Sequence, residues 1–506
     1  MNASHPPRSC DTLVIGSGFG GAAVARRLAE AGHHVLLVEK GPAIDPGRDF
    51  RQTQDPAYFR RYLKSVGNDA LNLTYAEGLG GGSAFYEMVS LRAPSRAFEQ
   101  VDESGRRLWP TGLDRRTLDP WYALAERELH VEQIAPEDVP PTGRVFAHLL
   151  SRLGYSTERA PYAVQGCVGS GWCVAGCIYG AKQSLLLNYL PAAREAGAEI
   201  LTGFEASRIR PLEHEGYEVT LAPAADDTAS GFVIRARLVV LAGGTVGSAR
   251  LLLRSRPWLP CLSHQVGRNL AWNGGVKIAG LLPDDCPDGD MYRGRSHPGV
   301  VSYEFLASHG VMVTAAKALP LQVVAGARFS LPGEAPGARR FGAGHVDLMK
   351  RFRHRALVLV AFGLTPPRGT LELDDAGRPR LRLELDRALR AYERRVRELL
   401  TSILERSGCR PFDLAWVNGE GRPYPDLHFS STHHVGSCRM ADTPARGVVD
   451  VFGEVFGHPG LFVADGATIP SSLAVNSSLT ILANAERIAH GILDRRPALT
   501  LEGASR

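Results

Sequence analysis

The sequence predicts an α/β protein: a Rossmann-type dinucleotide-binding domain assembled from discontinuous segments, with an inserted α+β substrate domain. Three observations predict it. An apolar strand, a glycine turn, a helix and a second apolar strand follow one another over residues 11–41. A further apolar strand, Leu238–Ala242, runs into Gly243-Gly244 and an apolar helix through Leu253. The end, 432–495, returns to glycine-rich turns and closes on an Ala-rich helix. At 506 residues the chain is about three to four times a single-core domain, which leaves room for the insertion.

Each element follows from local pattern. The strands at 11–15 and 33–39 carry four to five apolar residues without alternation, which fits a parallel sheet covered on both faces. The helix between them is closed by Ala31-Gly32. Tyr217–Leu221 and Phe232–Arg237 read as a short hairpin around a polar loop at 224–230. The middle, 266–431, is rich in Arg and holds strand-like segments and a charged helix near 387–406.

Composition narrows the function. Lys plus Arg is 58 against 53 Asp plus Glu, a net +5 that is too mild for a nucleic-acid binder. Only six of the cations are Lys, and the 52 Arg reflect an Arg-favouring composition. The longest apolar stretches, such as Ala356–Leu364, are far short of a bilayer span. Met1–Cys10 has no apolar signal core, so a cytoplasmic protein is expected, with its eight cysteines as thiols.

Gly16-Ser17-Gly18-Phe19-Gly20-Gly21 fits the dinucleotide fingerprint between a strand and a helix. The first Gly makes the tight turn, the second admits a pyrophosphate, and the third lets helix and strand pack. The helix N-terminus then offers unpaired amides and partial positive charge to phosphate. Glu39 ends the second strand, where a carboxylate takes ribose hydroxyls and disfavours a 2′-phosphate. NAD or FAD is therefore expected.

Further motifs decide between them: Glu77-Gly-Leu-Gly80-Gly81-Gly82-Ser83, Cys177-Ile-Tyr-Gly-Ala-Lys-Gln-Ser, Val266-Gly-Arg-Asn-Leu, His433-His-Val-Gly436, Asp465-Gly466 and Asn476-Ser477-Ser-Leu-Thr. With the fingerprint, these resemble the glucose-methanol-choline (GMC) flavoprotein oxidoreductases along essentially the whole chain, in particular the branch of cholesterol oxidases and antibiotic-tailoring oxidases. The resemblance implies FAD, and it implies His433 and Asn476 as the catalytic pair. It adds Gly80, Gly81, Ser83, Ala206, Asp465, Gly466 and Ser477 to the cofactor contacts of Gly16, Ser17, Gly18, Phe19, Gly20, Gly21 and Glu39. It divides the chain into an FAD-binding domain at 1–95, 186–265 and 432–506, a cap and linking segment at 96–185, and a substrate domain at 266–431.

The chemistry suits the pair. Removing hydride from a carbinol carbon needs the hydroxyl proton taken as well, and His titrates near neutrality. An Asn amide can hold the hydroxyl oxygen. His434 is read as a backbone-bonded neighbour facing away. Where family members tether flavin through a His, this sequence has Ala84-Phe85-Tyr86, so FAD is expected without a covalent bond. Ser477 stands where the family usually has Pro. Glu304 is the nearest candidate for the substrate-domain Glu of the sterol oxidases, although a solvated strand carboxylate is the simpler reading. Cys167, Cys173 and Cys177 could ligate a cluster by spacing, but loop thiols are expected and no metal; Cys438 is read as core.

The expected activity is oxidation of an alcohol to an aldehyde or ketone, with oxygen or another carrier as final acceptor and no nucleic-acid or membrane partner. A polar ring alcohol, such as an aminoglycoside or sugar hydroxyl in biosynthesis, is preferred. A 3-hydroxysteroid is the alternative, and a non-redox isomerase or lyase of the same fold is the second.

Overall fold

The computed structural model describes residues 8–52, 61–225, 231–317, 331–332, 342–413 and 428–495. Parts of the expected 224–230 loop and of the 266–431 segment lie outside these. The strand Ser9–Ile15 is flanked on both edges by parallel partners, with Thr12 opposite Val35 and Leu13 opposite Val239. Its apolar run is continuous because both faces are covered, and Leu13 and Val14 are fully buried. The sheet runs Glu199–Thr202, Val35–Glu39, Ser9–Ile15, Phe232–Leu241, Tyr217–Pro223, Phe204–Pro211. Leu461–Val463 joins it parallel to Phe232–Leu241, so early, middle and late parts of the chain share one sheet.

Phe232–Leu241 is a single ten-residue strand, where the sequence suggested a hairpin arm and a separate buried strand. Its first half alternates between exposed and buried residues, while Leu238–Leu241 are all buried. The periodicity changes because only the second half is covered on both faces.

The helix Phe19–Glu30 packs against the final helix, Ser478–Arg495. Arg27 joins them by donating to both oxygens of the fully buried Glu486 at 2.8 and 3.0 Å, and the Tyr189 hydroxyl donates to Glu486 at 2.7 Å. Losing one partner would strand a buried charge, which costs about 3–5 kcal/mol.

A second, antiparallel sheet runs Arg410–Phe412, Val276–Leu281, Ala356–Gly363, Val311–Ala316, Val300–Ser302, Glu158–Arg159. The helix Arg387–Arg406 lies against it through Leu389, Tyr392, Val396, Leu400, Ile403 and Leu404, a three-and-four spacing that forms one apolar stripe. Asp386 starts that helix by accepting from the Leu389 amide at 2.8 Å. Among the described residues no helix is long and apolar enough to cross a membrane.

Candidate active site

The fingerprint glycines divide by what a side chain would meet. Gly16 has φ +106°, and a Cβ there would lie 2.3 Å from the Ala242 carbonyl oxygen. A Cβ on Gly20 would lie 2.0 Å from the Ala464 oxygen, and one on Gly21 1.8 Å from the Gly16 oxygen. Gly18 differs: a Cβ there would meet nothing within 4 Å. The second glycine loop lies directly upon the first, since a Cβ on Gly81 would come within 2.9 Å of the Gly18 Cα, while Gly82 is again open. An open cradle of bare backbone at the start of a helix fits a pyrophosphate.

Polar side chains lock these loops together. Ser17 Oγ donates to Glu39 at 2.6 Å and accepts from the Gly80 amide at 3.0 Å. The amides of Ser17 and Gly41 also donate to the Glu39 carboxylate, at 3.0 and 2.8 Å. Burial raises the pKa of that carboxyl, and these donors oppose the rise. Ser83 Oγ donates to the Gly80 oxygen and accepts from the Leu185 amide. Asp465 accepts from the Gly244 amide (2.7 Å), Ser248 Oγ (2.6 Å) and the Ala467 amide (2.8 Å), and burial lifts its pKa to about 6. The carboxylate of Asp465 and the hydroxyl of Ser83 are thus engaged by the protein itself, and what they offer a cofactor is the backbone they position. Ala206 lies in Phe204–Pro211, the last strand of the sheet, and Gly466 follows Asp465 just beyond Leu461–Val463. The Ser477 carbonyl accepts from the Ile481 amide and so begins the final helix. Phe19 meets Tyr86 edge to face at 5.4 Å.

The structure brings His433 and Asn476 together, with Asn476 Nδ2 3.2 Å from His433 Nε2. Three constraints place the histidine. Phe429–Ser431 pairs with Leu71–Ala76, the Ser431 hydroxyl accepts from the His433 amide at 2.9 Å, and Val435 exchanges two backbone hydrogen bonds of 2.9 Å with Ala271. Phe362 packs on the imidazole at 4.8 Å between centroids. Burial, with smaller contributions from His434, Lys277 and His297, pushes the His433 pKa down to about 3, so the ring is neutral at physiological pH. His434 Nε2 instead faces the Thr74 carbonyl at 3.2 Å, with its ring edge-on to Tyr75.

Asn273, which the sequence reading missed, sits behind the pair. Its Oδ1 accepts from the Leu473 amide at 2.7 Å and its Nδ2 donates to the Val475 carbonyl at 2.6 Å, which fixes the turn that carries Asn476. Nδ2 also approaches His433 Nδ1 at 3.4 Å. A neutral imidazole has one N–H, so this pinned amide favours a proton on Nε2 in the resting site. Asn476 Oδ1 has no hydrogen-bond partner, and a turned Asn476 amide would place it against that proton. An Asn before two glycines was the available signal for Asn273, and by itself it reads only as a turn.

Tyr86, Glu87, Lys277, His433 and His434 all retain some accessible surface, yet desolvation is the largest influence on the ionisation of each. Lys277, opposite Val360, lies on the sheet face of Phe362, and Phe362 packs on His433, so these side chains share one sheltered wall. Glu304 is elsewhere: it is exposed and accepts from the Ser156 amide and hydroxyl. Cys167, Cys173 and Cys177 are free thiols, as is the fully buried Cys438. Among the described residues, no group of three or more His, Cys, Asp or Glu is arranged to hold a metal.

Comparison with known proteins adds to this geometry. The N-terminal model of the GMC oxidoreductases matches residues 10–273, and the C-terminal model matches residues 366–485. A cholesterol oxidase of Mycobacterium tuberculosis is 26% identical, over 96% of this chain and 92% of its own. The 6'''-hydroxyparomomycin C oxidase of Streptomyces lividus is 28% identical, over 96% and 91%. The crystal structure of pyridoxine 4-oxidase from Mesorbium loti superposes with a TM-score of 0.68 at 19% identity, over 95% of this chain and 99% of that one, which shows a shared fold.

Proposed function

This chain belongs to the GMC oxidoreductase family, and from that premise we propose that it oxidises a polar ring alcohol to the corresponding carbonyl at His433 and Asn476. It is an FAD-dependent oxidoreductase acting on alcohols. The observation that carries the finer reading is the 3.2 Å pairing of His433 and Asn476, both of them only partly exposed.

The residues present fit FAD. The open backbone of Gly18 and Gly82 would face the pyrophosphate, Glu39 the adenosine ribose, the Ala206 backbone the adenine, and the backbone at Asp465–Gly466 the ribityl chain. The start of the final helix at Ser477 would point its positive end at the flavin ring. FAD, when bound, supplies the acceptor for the hydride leaving the carbinol carbon. The chain's own part is to hold the hydroxyl and take its proton. Asn476 holds the hydroxyl oxygen, and His433 accepts the proton at Nε2 once its own proton sits on Nδ1. That role needs the ring's own proton on Nδ1, where it meets the Asn273 donor instead of an acceptor, at a cost of about 1–3 kcal/mol.

The preference for a polar alcohol over a hydroxysteroid is supported by Glu87, a desolvated carboxylate that a hydrocarbon body would cover without offering it a hydrogen-bond donor. The aminoglycoside-type relative is consistent with it. The test is anaerobic addition of ring alcohols to the yellow holoenzyme. Bleaching of the flavin band is expected. An unbleached spectrum across polyols, amino alcohols and hydroxysteroids would point to a non-redox reaction.

A further inference from the structure

A circuit of polar contacts that the proposed chemistry does not use links the glycine-loop segment to the turn before Val300–Ser302. Ser296 Oγ donates to Glu87, which stands four residues after Ser83 in the glycine-loop segment. That segment continues to Val89, which bridges Tyr162 on the strand Pro161–Ala163. The Tyr162 hydroxyl in turn lies 2.6 Å from Nδ1 of His297, the neighbour of Ser296. The four groups Glu87, Ser296, His297 and Tyr162 thus hold one another.

His297 is 4% exposed, and its tautomer is dictated by its surroundings. The Gly299 amide, which can only donate, points at Nδ1 from 3.1 Å, so Nδ1 is an acceptor and the proton sits on Nε2. Among the described residues Nε2 has no hydrogen-bond partner. Burial drives the His297 pKa down to about 3, so the ring stays neutral and offers a fixed, unsatisfied N–H donor. A buried donor without an acceptor costs about 1–3 kcal/mol and calls for a ligand group or water. His297 leads into Val300–Ser302, where Val301 is opposite Thr314, and Thr314 is opposite Val360, the partner of Lys277, so His297 adjoins the sheet face that carries Phe362 towards His433.

Glu87 is the complementary acceptor. Burial raises its pKa more than the nearby Lys317, Lys277 and Lys182 lower it, and among the described residues no cation lies within ion-pair distance. Lys182 donates instead to the carbonyls of Ala84, Tyr86 and Cys173, and Lys317 to those of Arg293 and Gly294. Lys277 belongs to this wall by register: it is opposite Val360, two residues from the Phe362 that packs on His433, and cross-strand partners share a face. Three of the six lysines in a chain with 52 arginines gather around this one carboxylate.

We infer that Glu87 and His297 form a second recognition point of the active site, which binds a hydroxyl or amino group neighbouring the reacting carbinol, so that the substrate is a polyhydroxylated alcohol and not a hydrocarbon with a single hydroxyl. Glu87 accepts from the substrate's donor and His297 Nε2 donates to an oxygen beside it. The inference rests on the proposed alcohol oxidation only for the location of the reacting hydroxyl.

The experiment uses the holoenzyme with two probes of the same ring size, methyl α-glucoside and cyclohexylmethanol. Binding is read from perturbation of the flavin spectrum and from the shift in Tm, and turnover separately from anaerobic bleaching. The wild-type protein should bind the glucoside at least about tenfold more tightly than cyclohexylmethanol. Glu87→Gln, which keeps the side-chain shape and an acceptor for Ser296, should lose at least about tenfold in glucoside binding and less than about threefold for cyclohexylmethanol. His297→Leu should behave likewise. Equal loss for both probes, or unchanged discrimination in Glu87→Gln, overturns the subsite. Glucoside binding that depends on Glu87 without any bleaching upholds the subsite and overturns the oxidation reading instead.

Discussion

The two sides of the candidate site differ in how their polar atoms are satisfied. On the cofactor side, Ser17, Glu39, Ser83 and Asp465 are hydrogen-bonded by the protein's own chain. On the reactive side, Asn476 Oδ1, His434 Nδ1 and His297 Nε2 are buried without partners among the described residues. The contrast teaches that the first region is built before anything binds, because self-satisfied carboxylates and hydroxyls hold bare backbone in position. The second is left incomplete, so that an incoming group can supply the missing bonds.

The largest effect is expected where the incomplete side does chemistry. His433→Ala or His433→Asn should slow flavin reduction by about 10²–10⁴-fold, the usual size of general-base assistance, with FAD still bound. His434→Asn should cost much less, since its ring is turned to the Thr74 carbonyl. Stopped-flow reduction under nitrogen separates the two, and a crippled His434 variant beside a normal His433 variant would shift the assignment by one residue.

The prebuilt side should break on packing. Gly21→Ala forces a Cβ against the Gly16 oxygen and should destabilise the protein by about 3 kcal/mol or more, with loss of flavin. Gly18→Ala should fold normally, because Gly18 has φ −69° and open space ahead of it, but should retain FAD poorly. Melting temperature and flavin content read both; a Gly18→Ala protein with full FAD would show that the cradle is not where the cofactor lies.

Glu39→Ala should lower FAD affinity by about 1.5–3 kcal/mol, the worth of a hydrogen bond to a charged group, and should also loosen the Ser17 and Gly41 amides. Flavin content after dilution measures it, and unchanged content would remove Glu39 from the cofactor site. Asn476→Ala should slow reduction by about tenfold, less than His433→Ala, since it removes an orienting contact and leaves the proton acceptor. Equal losses would mean that the two residues act as one unit.

The smallest expected effect is that of pH. Burial lowers the His433 pKa to about 3, so its neutral, proton-accepting form is fully populated above that value and is lost only as pH falls towards it. The reduction rate should therefore be flat from about pH 5 to about pH 8 as far as this residue is concerned. An inflection near pH 6.5 that disappears in His433→Asn would show the imidazole to be solvated, and the two sides of the site less different than their hydrogen bonds indicate.

The sequence by itself determined what is written in contiguous residues. Gly16–Gly21 between a strand and a helix, Glu39 at the end of the next strand, and the charged helix near 387–406 are local patterns, and each formed where local sequence placed it. Only the tertiary structure decided which distant side chains meet. Asn273 reaches His433 across 160 positions, and Ser296 reaches Glu87 across 209, with nothing in either neighbourhood to announce the partner. The same holds for Asp465, which is tied to Gly244 and Ser248 across 221 and 217 positions. The physical reason is that a backbone conformation is selected by neighbours a few residues away, whereas an unsatisfied donor or acceptor is defined by what the whole chain fails to bring to it.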